Sequence, residues 1–233
     1  MNNEPRRVVS SATDSGLNQY LAKMYGFMAA AVGVSALTAY LITTMFYIQT
    51  MTFLSQHRSA VWIMFGLQLV IAFMFKANRS PVVNAVGLFG FAILEGVVFS
   101  TLVAVYTMGD ITMAFVSAAT LFVVLAVMGT VTKRDLSGVG RHAMAALIAL
   151  IIVSIINFFL QSPMINYIFS YVGIIIFAAL VAFDSQRFKQ SYYQLQGQVN
   201  MTSLALMGAF QLYLDFVNLF LQLLNIFGGG SRD

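Results

Sequence analysis

Seven apolar runs, at residues 20–46, 60–75, 82–106, 111–131, 143–160, 165–183 and 203–227, fill most of the 233-residue chain. A helix rises 1.5 Å per residue, so about 20 largely apolar residues cross the hydrocarbon core of a bilayer. The runs at 60–75 and 143–160 are short and suit upright helices. In hydrocarbon every backbone amide must be bonded internally, which leaves only helices or a closed barrel. These runs are too long, and too apolar all round, for barrel strands. Pro81 and Pro163 stand at helix starts, where a missing N–H costs nothing. The expected fold is an all-α integral membrane protein, a seven-transmembrane-helix bundle.

Charged residues make up 9% of the chain and mean hydropathy is +0.85, so no sizeable soluble domain is left over. The organisation expected is a polar cytoplasmic N-terminal arm at 1–19, a transmembrane domain at 20–227 and a short flexible tail at 228–233. The run after the arm is too long for a signal-peptide core, so the first helix is expected to be retained. The best linkers are residues 133–142 and 185–202.

Orientation follows from the basic residues. Arg6, Arg7, Lys23, Lys76, Arg79, Lys133, Arg134, Arg141, Arg187 and Lys189 fall on the N-terminal side, and only Arg58 and Arg232 on the other. That asymmetry places the N-terminus in the cytoplasm and the C-terminus outside. It also supports an odd number of helices, since dropping one would scramble it. The net charge of +4 belongs to cytoplasmic loops that can touch anionic head groups, and calls for no nucleic acid. With no cysteine there is neither disulfide nor thiolate metal site. His57 and His142 are expected in separate loops, too far apart in sequence for a metal centre.

The most informative run is the last. Its polar residues are Gln211, Asp215, Asn218, Gln222 and Asn225, a 4-3-4-3 spacing that sets them on one helix face. An ionised carboxylate at the middle of a membrane helix costs about 2.5–3.5 kcal/mol. Such a stripe therefore faces protein or water. Two more acids fall in or beside apolar runs: Glu95, followed by Gly96, and Asp184 at the end of the sixth run. Counting back from the outer ends puts Asp215 about 18 Å deep and Asp184 about 29 Å deep. Straight helices leave them about 10 Å apart in depth, and a tilt or a higher start closes the gap.

Two carboxylates about 4 Å apart repel by about 4 kcal/mol at an effective dielectric near 20, the equivalent of about three decades of proton concentration. If the two meet, one shared proton at acid pH ties the sixth and seventh helices together. Two negative charges at alkaline pH push them apart unless a cation or basic side chain steps in. The plainer reading is that polar side chains are interhelical hydrogen-bond glue, worth about 0.6 kcal/mol each. It suits Asn218, Gln222 and Asn225, and also Ser154, Asn157 and Gln161 of the fifth run. Asp215 fits it poorly, because an amide would bond at lower cost. Lys76 and Arg79 read most simply as topology determinants.

The segment Leu212-Tyr-Leu-Asp-Phe-Val-Asn-Leu-Phe220, the Glu95-Gly96 pair, the loop Thr132-Lys-Arg-Asp-Leu-Ser-Gly138 and the Phe183-Asp184 ending resemble the Bax inhibitor-1 family, also called the transmembrane BAX-inhibitor-motif family. The likeness runs from about residue 20 to 227, and the short arm and basic loop resemble bacterial members. The resemblance implies seven helices with the C-terminal one central, and a pH-sensitive calcium leak with a di-aspartyl sensor on the last two helices. Matched by motif, the sensor residues are Asp184 and Asp215, which would also meet the passing Ca²⁺. A basic residue that latches onto the pair in some bacterial members would be Lys76 or Arg79 here. Some relatives bind and restrain a membrane-bound protease.

Three functions follow for testing. The first is a calcium or cation leak of the bacterial inner membrane, gated by Asp184 and Asp215, with Glu95 and the stripe lining the path. It needs no cofactor, and its partners are the bilayer and calcium ions. The second is a regulatory protein that binds a membrane partner, such as a protease, through its arm and loops. The third, an enzyme, is not expected: Gly-x-Gly-Asp is absent around both aspartates, and no histidine is expected in a helix to act as a base.

Overall fold

The computed structural model describes the backbone of residues 5–229 and the side chains of residues 15–229 except Arg58 and Pro163. The tail at 230–233 and the first four residues of the arm lie outside the described residues. Every regular element among those described is helical. In order they are α1 (Pro5–Leu41), a π turn (Ile42–Phe46), α2 (Tyr47–Gln56), α3 (Arg58–Met74), α4 (Pro81–Ser100), a 3₁₀ turn (Leu102–Ala104), α5 (Met108–Val131), α6 (Ser137–Leu160), α7 (Pro163–Leu195) and α8 (Met201–Gly229).

Six stretches are long and apolar enough to cross a membrane, and α3 is a shorter apolar helix beside them. Their outward surface is oily: Phe73 is 82% exposed and Phe159 78%. Such a surface is tolerable only against lipid or protein. α8 differs from the rest. Of its most apolar window 72% is buried, against 17–33% in the other five stretches.

Several helices run past the boundaries expected from the sequence. The first continues through the π turn to Gln56, because residues 47–56 contain no glycine or proline to stop it. Thr43 and Thr44 donate to the carbonyls of Ala39 (2.7 Å) and Tyr40 (2.8 Å) beside that turn. The expected linker at 133–142 shortens to residues 132–136. His142 accordingly sits in the second turn of α6, its Nδ1 2.7 Å from the Gly138 carbonyl. The expected linker at 185–202 shortens to 196–200, where Gly197 takes φ +82°, a conformation suited to glycine. Asn200 then caps α8, its Oδ1 accepting from the Thr202 (2.9 Å) and Ser203 (3.2 Å) amides. Asp110, expected in a loop, closes a capping box with Thr107 at the start of α5.

The chain folds as two compact units, Met1–Leu102 with Lys189–Phe210, and Val103–Phe188 with Gln211–Asp233. In the first, α4 packs on α1 and α3. A Cβ on Gly96 would lie 2.6 Å from the Ser35 carbonyl oxygen, so only glycine allows this approach of α4 to α1. Ser35 Oγ donates 2.8 Å to the Ala92 carbonyl across the same seam. In the second unit, Ala143, Leu150, Ile176, Phe177, Leu180 and Leu219 form an apolar cluster drawn from α6, α7 and α8.

Candidate functional site

α7 and α8 lie antiparallel in the second unit, and the polar stripe of α8 is turned toward α7. Asn225 Nδ2 donates 2.7 Å to Ser170 Oγ. One turn away, Gln222 packs over Gly173, whose missing side chain leaves the room: a Cβ there would sit 2.8 Å from Gln222 Cδ. Asn218 donates to the Leu214 carbonyl of its own helix (2.8 Å). At the other end of the seam, Gln211 and Asp215 both stand beside the Asp184 carboxyl. Apart from Asn218, whose bond is internal to α8 and not the interhelical glue its spacing suggested, the sequence-derived stripe is a helix–helix seam with glue at one end and a pair of acids at the other.

Asp184 is not at the end of its helix. α7 continues to Leu195, which places Asp184 well inside it and 0% exposed, while Asp215 is 2% exposed. Arg187, one turn on, brings Nη1 to 3.4 Å from Asp184 Oδ1. The guanidinium side chain is 53% exposed, so this ion pair is wet and worth little in stability. The Oδ2 atoms of both aspartates, and the neighbouring Ser185 Oγ, are buried and accept or donate no hydrogen bond. Buried polar atoms without partners are uncommon and point to strain or a role beyond packing.

The chemistry of the contact is simple. An ionised carboxylate only accepts hydrogen bonds, so two carboxyls bond each other only when a proton lies between them. Removing that proton sets two charges in contact, at a cost of about 4 kcal/mol. The unbonded oxygens of such a pair suit a hard cation. Among the described residues, no group of three or more His, Asp and Glu side chains is placed to hold a metal.

The α5–α6 hairpin seats the turn that carries Asp184. A Cβ on Gly129 would collide with the Ala182 carbonyl, and one on Gly140 with the Phe183 ring. Gln186, 6% exposed, accepts from the Leu136 amide (2.8 Å) and donates to the Arg134 carbonyl (2.8 Å). Within the 132–136 connection, Asp135 Oδ1 accepts from Ser137 Oγ (2.6 Å) and the Ser137 amide (2.9 Å). Those bonds, aided by the charge of Arg141, hold the Asp135 carboxyl below its ordinary range. Asn157 does not join a helix–helix seam as its spacing suggested. It serves the turn between α6 and α7, bonded to the Ser162 amide and carbonyl.

The remaining sequence candidates belong to the first unit. Glu95 accepts a 2.7 Å bond from Gln68 Nε2 and is buried between α4 and α3. Lys76 and Arg79 stand in the connection between α3 and α4. Their backbone carbonyls accept from Asn84 Nδ2 (3.0 Å) and Ser203 Oγ (2.6 Å) respectively. Sequence reasoning passed over Gln186 and Arg187, because both fell in an expected linker. Had the helix been extended, the Asp184–Arg187 spacing would have exposed the ion pair.

A family model described as Inhibitor of apoptosis-promoting Bax1 matches residues 17–232. The uncharacterized protein YrjE of Lactococcus lactis is 38% identical over 97% of this chain and 98% of its own length. An uncharacterized membrane protein of Streptococcus pyogenes serotype M3 is 35% identical over 95% and 97%. The inner membrane protein YbhL of Escherichia coli K12 is 33% identical over 92% and 93%.

Proposed function

Because this chain belongs to the Bax inhibitor-1 family of membrane proteins, we propose that it is a pH-sensitive leak for calcium or a similar cation, gated by Asp184 and Asp215. The observation that carries the reading is the meeting of two buried carboxyls from antiparallel helices, each with an unbonded oxygen. With one proton shared, α7 and α8 are tied and the path is shut. With both acids ionised, repulsion of about 4 kcal/mol parts the helices and the same charges attract a cation. Two carboxylates and one amide offer too few oxygens to store Ca²⁺, which takes about six to eight ligands. They suit an ion in transit.

In this reading α3 is the seventh crossing and α8 the axis of the bundle, as its unusual burial suggests. The N-terminus is cytoplasmic and the C-terminus outside, in a bacterial cytoplasmic membrane. Arg187 is the basic group beside the pair, and Lys76 or Arg79 is the candidate latch for its ionised state. The protein conducts and does not catalyse.

The test is calcium influx into dye-loaded proteoliposomes from about pH 6 to 8, a window centred on neutrality. Wild type should show a sigmoidal dependence that Asp215→Asn flattens. An unchanged profile in the variant sinks the gate. No flux above empty liposomes from folded protein transfers the weight to a regulatory protein that binds a membrane partner such as a protease. The Asn225–Ser170 bond, which is plain helix glue, favours that second reading for half of the stripe.

A further inference from the structure

Successive residues of a helix are turned by about 100°, so Ala182, Phe183 and Gln186 share one side of α7 while Asp184 points to the other. The α5–α6 hairpin holds the first side at three points: Gly129 against the Ala182 carbonyl, Gly140 against the Phe183 ring, and Gln186 bonded to Arg134 and Leu136. α8 faces the second side, with Gln211 and Asp215 beside the Asp184 carboxyl. A single turn of α7 is thus gripped from both faces. It cannot roll or shift on one without disturbing the other.

The glycine contacts are steric and leave small movements free. The Gln186 contact is different, because its amide donates through Nε2 and accepts through Oε1, both at 2.8 Å, and both partners are backbone atoms of the 132–136 connection. Those atoms lie outside any helix, where no ladder bond would replace the ones lost. We propose that Gln186 is a positioning residue for the Asp184–Asp215 pair, a clamp through which the pair and the 132–136 connection move together. The charged groups around this turn are Arg187 on α7, Asp215 on α8, Lys133, Arg134 and Asp135 in the connection, and Arg141 on α6. The connection carries two of those bases at the surface, so the state of the buried pair is expressed at a basic loop.

The functional consequence rests on the gate proposed above, and the mechanical coupling is measured without flux. The chain has no cysteine, so Lys133→Cys gives one site for a nitroxide label. Gln186→Met keeps the length of the side chain and removes both bonds; Gln186→Ala repeats the test if the thioether is not accommodated. Asp215→Asn should change the mobility of the label when Gln186 is present and leave it unchanged in the Gln186→Met background. In the same liposomes, Gln186→Met should raise the calcium leak several-fold under conditions where wild type is closed. An equal response to Asp215→Asn in both backgrounds, or none with Gln186 present, overturns the clamp. Absence of leak in wild type overturns the channel alone, and the label cycle still decides the clamp.

Discussion

Two buried acids of this protein are held by opposite chemistry. Glu95 receives a 2.7 Å bond from the Gln68 amide. An amide can donate to a carboxylate or accept from a carboxylic acid, so this contact survives either protonation state. Asp184 faces another carboxyl, Asp215, and two carboxyls can bond each other directly only while a proton is shared. Burial alone therefore does not mark an acid as a switch. The partner does.

The strongest way to break this contrast is to turn the second site into the first. Asp215→Asn gives Asp184 a permanent amide partner and removes repulsion worth about 4 kcal/mol. Proteoliposome flux should then lose its pH dependence. Next come the glycines beside each acid. Gly129→Ala meets the Ala182 backbone and Gly96→Ala meets the Ser35 backbone, neither of which can yield as a side chain would. Each should cost about 1–3 kcal/mol, read as a lower denaturation midpoint in detergent. Glu95→Gln keeps a partner for Gln68, so its cost should stay below about 1.5 kcal/mol with the flux profile unmoved. A displaced profile would show that Glu95 also switches and would erase the contrast.

The smallest effect is expected outside the membrane. The Ser137 bonds keep the Asp135 carboxyl below its ordinary range. Their contribution is complete above the unfolded-state value of about 3.9 and is lost as pH falls through the lower folded value. The midpoint difference between wild type and Asp135→Ala should therefore be constant near neutrality and shrink in strong acid.

Much of this was legible in the residues. The apolar runs announced the helices, and the 4-3-4-3 spacing from Gln211 to Asn225 announced the seam on α8. What the spacing could not say is which helix lies opposite, because periodicity describes one element and pairing needs two. The end of α7 was misread for a related reason. Residues 185–195 are polar and look like a linker, yet nothing before Gly197 breaks a helix. That error hid Gln186, whose partners lie 50 and 52 residues upstream, a separation no local pattern encodes. It also left Asp184 at a helix end, about 10 Å from a partner it in fact touches.

The five-residue link between α7 and α8 has a consequence for how the protein is made. Asp184 and Asp215 are separated by only 31 positions of chain and belong to one helical hairpin. Sent into the bilayer singly, each charged helix would carry a penalty of about 2.5–3.5 kcal/mol. Delivered as a hairpin, the acids face each other from the start and neither charge has to meet a lipid tail. Insertion of the last two helices as one hairpin would spare both acids that penalty.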